Sequence, residues 1–315
     1  MEHALWEWAA FGGIVLVMLA LDLGVFHRED HVIRPKEALG WSAVWIGLAL
    51  AFAGWVWFRH GPDAGIEYLT GYVIEKSLSV DNIFVFVVIF GALAIPPLYQ
   101  HRVLFWGILS ALVLRGAMIG AGSALLHRFH AVIYVFGGFL VITGVKLFLS
   151  RGEAPHPEQS RAFRLLSRVV PGTPRLHGNR FFAREEGRRL ATPLFFALAL
   201  IEVSDVIFAV DSIPAIFAVT DDPYIVFTSN IFAILGLRSL FFLLAGAVAR
   251  FTYLKPSLAA VLVFVGAKMT AVDVVKLHPA VSLAVVVGIL GVGVVASAVK
   301  ARRDARVSEP AARPS

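Results

Sequence analysis

Apolar residues fill this chain in long blocks, without the gaps that a surface helix or a half-exposed strand would show. Nine blocks stand out, at about 8–26, 41–58, 69–93, 103–126, 131–149, 191–219, 224–248, 256–272 and 280–299. A helix of about 20 residues crosses a hydrocarbon core of roughly 30 Å, and a helix that is apolar all round belongs in protein or lipid. The pattern predicts an all-α polytopic membrane bundle of about nine transmembrane helices. Residues 1–300 read as a single transmembrane domain, with a polar insertion at 150–190 and a disordered cytosolic tail at 301–315.

Two of the blocks carry acids in a common phrase. The third contains Glu75-Lys-Ser-Leu-Ser-Val-Asp81-Asn82 and the sixth Asp205-Val-Ile-Phe-Ala-Val-Asp211-Ser212, both acid, then apolar-small-Val-Asp-polar. A carboxylate in hydrocarbon costs roughly 3 kcal/mol even on insertion scales, and such groups mark ion or proton paths. Basic residues repeat as well. Leu114-Arg115-Gly116 in the fourth block matches Leu237-Arg238-Ser239 in the seventh, and Gly144-Val-Lys146 in the fifth matches Gly266-Ala-Lys268 in the eighth. Blocks 3–5 and 6–8, about 69–149 and 191–273, thus read as two three-helix repeats.

Composition excludes a soluble domain: 58% of residues are hydrophobic, 16% charged, and the mean hydropathy is +0.77. The net charge of +6 would suggest nucleic acid in a soluble protein, but here it is sorted by topology. Alternate connections hold 20 Lys and Arg on one side and 3 on the other. The positive-inside rule then places the N-terminus outside and the C-terminus in the cytosol of a cell (inner) membrane. The first ten residues carry no Lys or Arg, unlike a signal peptide. Three helices per repeat turn the second copy upside down, the arrangement in which secondary transporters hold ions at mid-membrane. There is no cysteine, so disulfides and thiolate sites are excluded and any metal is held by oxygen or imidazole.

On a straight helix Glu75, Ser79 and Asn82 share a face, whereas Asp81 lies about 120° away, and Asp205 and Asp211 show the same mismatch. Pro214 cannot donate to the carbonyl of Val210. It is expected to unwind the sixth block there, swing Asp211 toward Asp205 and act as a gate or accessory element.

The phrases Glu75-Lys-Ser-Leu-Ser-Val-Asp-Asn-Ile-Phe and Glu202-Val-Ser-Asp-Val-Ile-Phe-Ala-Val-Asp-Ser-Ile-Pro-Ala, with Leu237-Arg-Ser and Gly266-Ala-Lys, resemble the TerC family of membrane proteins. The resemblance runs from Asp22 to the ninth block and is greatest to the Alx-like branch. It implies a place in the LysE superfamily of exporters, a tellurium-resistance label, and for that branch manganese export. The family's acidic positions fall on Glu75, Asp81, Asn82, Glu202, Asp205, Asp211 and Ser212. Oxygen donors of this kind suit hard cations such as Mn²⁺, Mg²⁺ and Ca²⁺. Asp81 and Asp211 are expected as principal metal ligands and Asn82 and Ser212 as neutral partners. Glu75, Glu202 and Asp205 would complete the cage or carry exchanged protons.

The expectation is a transporter exporting divalent cations, Mn²⁺ first, in exchange for H⁺. It would not be an enzyme, would have no prosthetic group, and would have the bilayer and the cation as its partners and no nucleic acid. The alternative is a non-transporting membrane scaffold for metal delivery or tellurium resistance. The five acids Glu75, Asp81, Glu202, Asp205 and Asp211 also face five bases, Lys76, Arg115, Lys146, Arg238 and Lys268, so structural ion pairing competes with metal binding. Arg115 and Arg238 read as pairing partners, and Lys146 and Lys268 as tethered cations that couple to the acids when metal is absent. Asp22 is an accessory candidate by the resemblance. Asp273 reads as a helix-end residue, and the ten histidines as interfacial. In the insertion, Phe163, Leu166 and Val170 recur between arginines as in a basic interfacial helix, and a hairpin is expected to turn at Glu186-Gly187 before Thr192 caps the sixth block.

Overall fold

The computed structural model describes residues 4–26, 35–129, 131–149, 161–185, 187–245, 252–274 and 277–308. Among them are eleven helices and one hairpin: α1 (Leu5–Phe26), α2 (Pro35–His60), α3 (Pro62–Ala92), α4 (Pro97–Arg128), α5 (Ala131–Leu149), α6 (Arg161–Val169), β1 (Phe182–Glu185), β2 (Arg188–Ala191), α7 (Pro193–Phe217), α8 (Pro223–Leu235), α9 (Leu237–Leu244), α10 (Leu254–Thr270) and α11 (Pro279–Ser308). Proline recurs in the first turn of α3, α4, α7 and α8. There its fixed φ suits the helix, and its missing N–H has no partner to lose. Asp222 caps α8 by accepting from the backbone N–H of Tyr224 at 2.9 Å and Ile225 at 3.4 Å.

Five helices are long and apolar enough to cross a membrane: Pro35–His60, Pro97–Leu126, Ala131–Leu149, Pro193–Phe217 and Pro279–Ala301. The pair α8 and α9, bent by 41° at Gly236, makes a sixth if it counts as one broken span. The chain is thus a polytopic helical membrane protein. The other expected blocks also form helices, α1, α3 and α10, of which α10 has 17 residues and α3 carries Glu75, Lys76 and Asp81 along its middle.

Helix α3 is the centre of the bundle, touching α2, α7, α8 and α11. One apolar cluster joins α1, α2, α3 and α8 around Phe11, Phe52, Tyr68 and Phe232. A second joins α5, α7, α10 and α11 around Leu140, Ile213 and Leu262. A third seals the far ends of α3, α4 and α7 around Phe90, Leu104 and Leu200. The outer face of α7 leaves Val203, Val206, Ile207 and Val210 exposed, as a lipid-facing surface should.

Helices α5 and α10 meet backbone to backbone. A Cβ placed on Gly144 would lie 2.8 Å from the carbonyl oxygen of Ala259, and one on Gly266 would lie 2.7 Å from that of Gly137. The two contacts are reciprocal. Aligning Gly144-Val-Lys146 with Gly266-Ala-Lys268 sets Gly137 opposite Ala259, so each contact maps onto the other when the copies are exchanged.

The expected unwinding at Pro214 is not what the structure contains. α7 is one continuous helix from Pro193 to Phe217, with Pro214 buried inside it. Pro214 lies in the last turn, where the helix has few further hydrogen bonds to lose, and tight packing among Ile213, Ala215 and Ile216 holds the backbone. The break falls instead at Gly236, one residue before the Leu237-Arg238-Ser239 phrase.

The hairpin forms where expected, with Glu185 paired to Arg188 and Gly187 at φ +78° in the turn. Thr192 precedes α7 but does not cap it; its hydroxyl donates to the carbonyl of Arg180 at 2.7 Å and ties the hairpin down. Phe163 of α6 packs on Phe196 of α7 with rings 5.7 Å apart. α11 stays helical to Ser308, into the stretch expected to be disordered; the residues beyond lie outside those described.

Candidate functional site

The two acidic phrases meet at Arg115. This side chain of α4 is 1% exposed, and its guanidinium joins α3 to α7: Nη1 donates to Glu75 of α3, while Nε and Nη2 donate to the two carboxylate oxygens of Asp205 of α7 at 3.3 and 2.8 Å. Nη1 also reaches Ser212 Oγ and Asn230 Oδ1, each at 3.4 Å. Asn230 of α8 closes the ring by donating from Nδ2 to the other oxygen of Glu75 at 3.1 Å. The amide therefore gives to the carboxylate and accepts from the guanidinium, which fixes its orientation.

Two buried carboxylates against one arginine leave a negative charge, and Lys76 offsets it. Its ammonium lies 3.1 Å from the carbonyl oxygen of Ala233, in the last turn of α8 before the bend. Unpaired carbonyls at a helix C-terminus carry partial negative charge and attract a cation. Gly236 lies close beside it: a Cβ there would fall 2.9 Å from Lys76 Nζ and 3.0 Å from Trp45 Cβ.

Adjoining this network is a cavity of about 130 Å³ whose wall is mostly apolar, from Leu78, Leu147, Phe208, Leu258 and Leu262, and to which Glu75 and Asn82 of α3, Arg115 of α4, Thr143 of α5, and Asp211 and Ser212 of α7 bring polar groups. Asp211 lies beside Thr143 and feels the charge of Lys146. Asn82 is 2% exposed and, among the described residues, its Oδ1 has no hydrogen-bond partner. Ser79 Oγ, fully buried one turn earlier on the same face, has none either. Unsatisfied buried acceptors are costly and uncommon, so an oxygen of this kind beside a cavity marks a place for a cation or a donor.

The expected site residues thus divide. Glu75, Asp205, Ser212 and Arg115 form one hydrogen-bonded cluster, and Asn82 and Asp211 meet across the adjoining cavity. Glu202 stands apart, accepting from Ser110 of α4. Arg238 is buried at 1% exposure in α9. Lys268 faces Glu67 near the start of α3, where Glu67 is hydrogen-bonded to Thr220; Asp221 and Asp222 stand close by. Asp273 accepts from Tyr134, across α10 and α5. The helices carry Asp22 and Asp81, but their side chains lie outside the described residues. Among those described, no three of His, Asp and Glu come together as a metal cage.

Sequence reading missed Asn230, Ser110, Thr143 and Glu67. Asn230 had a signal, a fully buried amide in an apolar run; the hydroxyls had none, because Ser and Thr inside helices commonly donate to their own backbone. Glu7 was also missed. It is 2% exposed and paired with Arg59 at 3.4 Å and His60 at 3.6 Å, which fastens α1 to the end of α2.

Residues 60–305 match the family described as integral membrane protein TerC. An uncharacterized membrane protein of Myxococcus xanthus is 65% identical over 295 residues, covering 94% of this chain and 92% of that protein. A protein of Escherichia coli strain K12 named "putative membrane-bound redox modulator Alx" is 47% identical over 292 residues, 90% of this chain and 91% of its own. An uncharacterized membrane protein of Rickettsia bellii is 41% identical over 294 residues, with 93% and 97% covered. No solved structure matches the chain.

Proposed function

The chain belongs to the TerC family of integral membrane proteins, and from that premise we propose that it is a transporter that exports divalent metal cations, Mn²⁺ first, in exchange for protons. The observation that carries the proposal is the set of oxygen donors that α3, α5 and α7 bring to one otherwise apolar cavity. Asp211 supplies charge, Ser212 and Thr143 supply hydroxyls, and the unpartnered Oδ1 of Asn82 supplies a neutral acceptor. Such a donor set suits a hard cation. Asp81, next to Asn82 in sequence, is the natural further ligand. Arg115 then plays the part of a resident cation that keeps Glu75 and Asp205 compensated between transport events.

Export needs access from both sides in turn. Two inverted three-helix repeats, α3–α5 and α7–α10 with α8 and α9 as one broken span, would supply it within a nine-span chain. The reciprocal contacts of Gly144 and Gly266 support that internal symmetry, and the bend at Gly236 is the kind of helix break that transporter ion sites use. Carboxylates in a site closed to water take up protons when the metal leaves, which gives H⁺ its coupling role.

The relatives' name, membrane-bound redox modulator, fits this chain through metal supply. Its sequence has no cysteine, so thiol exchange is not its chemistry. The test is reconstitution with an imposed pH gradient and parallel measurement of Mn²⁺, Ca²⁺, Mg²⁺ and Zn²⁺ flux. Wild type is expected to move Mn²⁺ with the gradient, and Asp211→Asn to move none. Equal flux in both, or flux in neither, favours the scaffold reading.

A further inference from the structure

The connection between α5 and α7 builds a basic layer that metal transport leaves unused. α6 and the hairpin both lie against the first turn of α7, through Phe163 on Phe196 at 5.7 Å and Phe182 on Phe195 at 4.8 Å. On α6 the inward residues are Phe163 and Leu166. Leu165 and Val169, one turn apart on the adjoining flank, remain 65% and 73% exposed. Arg164 and Arg168, also one turn apart, occupy the next flank and are exposed as well.

The hairpin adds a like-charge pair. Arg184 is the direct cross-strand partner of Arg189, with Arg188 next to it, and all three are exposed. Like charges set opposite each other destabilise a two-stranded ribbon. Glu185 is already engaged, by His177 Nε2 at 2.6 Å and by the Thr173 hydroxyl at 3.0 Å. The Arg189 guanidinium lies 4.5 Å over the Phe182 ring, and a guanidinium resting on an aromatic ring keeps donors free to grip phosphate.

We infer that this layer is a docking surface for anionic phospholipids of the membrane in which the chain lies. Leu165 and Val169 enter the acyl boundary, and Arg184 and Arg189 share a headgroup phosphate. Charge complementarity selects this occupant. A phosphate turns the cross-strand repulsion into two charge-assisted contacts, while exposed aliphatic residues beside arginines are the pattern of an interfacial helix.

Because the chain lacks cysteine, Leu165→Cys, Val169→Cys and Ser167→Cys each introduce a single labelling site. The full chain would be placed in vesicles of phosphatidylcholine with phosphatidylglycerol. Fluorophores at 165 and 169 should then be quenched by lipid-borne nitroxide and shielded from iodide, while one at 167 stays open to iodide. Phosphatidylglycerol retained through native mass spectrometry should fall on the order of tenfold in Arg184→Gln/Arg189→Gln, and stay unchanged in Arg128→Gln on the opposite connection. Equal iodide access at all three positions overturns the inference, as does retention indifferent to the double variant. Shielding that appears only when other proteins are present also overturns it, in favour of a protein partner.

Discussion

Arg115 has the most consequential position of any single residue. A guanidinium buried between two carboxylates cannot be removed without leaving buried carboxylates uncompensated, and breaking a buried pair in this way costs about 3–5 kcal/mol. Arg115→Leu should therefore lower the unfolding midpoint in detergent by far more than any lipid-facing change such as Ile207→Leu; equal midpoints would show that Glu75 and Asp205 find other partners. Asn230→Leu removes one donor and one acceptor and should cost roughly 1–3 kcal/mol, read by the same unfolding curve. A third prediction concerns the hairpin. Hydrogen bonds from His177 and then Thr173 hold the Glu185 carboxyl below the usual glutamate range. Its folded-state pKa lies below the unfolded one, so the contact stabilises the hairpin above about pH 4.3 and is lost as pH falls through the folded value. Protection of the β1 and β2 amides against hydrogen exchange should fall on acidification, and Glu185→Gln should flatten that dependence. At this scale the sequence was most legible where charge stood in apolar runs: Glu75, Asp205 and Arg115 are visible because hydrocarbon makes them expensive. Ser110 and Thr143 were not, since a hydroxyl in a helix looks the same whether it serves its own backbone or a neighbour's carboxylate.

Among the elements, block length set nearly every helix, and a short β-rich, Gly-containing stretch set the hairpin. What periodicity could not supply was where a helix breaks. Pro214 carries the obvious breaker, yet the end of α7 absorbs it within one turn. Gly236 carries a weak one, yet α8 and α9 part there because Lys76 binds the freed carbonyl region and leaves no room for a side chain. Partners distant in sequence decided the matter, and a local pattern does not report them. The α5–α10 seam gives the prediction at this scale. Gly144→Leu or Gly266→Val forces a side chain into a neighbouring backbone, and overpacking of this kind costs about 1–3 kcal/mol or more. Either variant should unfold at lower temperature, while Gly138→Leu, where a Cβ would meet nothing within 4 Å, should not.

For the whole molecule, the charge bias of the connections and the count of blocks imply that residues 63 and 167 lie on opposite sides of the membrane, three helices apart. A membrane-impermeant maleimide should label Asp63→Cys in sealed cells and Ser167→Cys only once the membrane is opened; labelling of both in sealed cells would refute the proposed inverted arrangement. The family was legible because its acids recur as a phrase. The division of those acids between an arginine cluster and the cavity beside it was not legible, because it depends on how α4 and α5 pack against α7. Transport asks such a cavity to open first one way and then the other, and the seam of α5 and α10 limits how. Two helices whose backbones touch have no layer of side chains to slide across, so they behave as one strut. Thr143 and Leu147 on α5 and Leu258 and Leu262 on α10 must then keep their places relative to each other. On the proposed transport cycle, the opening strokes would belong to the walls made by α3, α4 and α7, swinging against a fixed post.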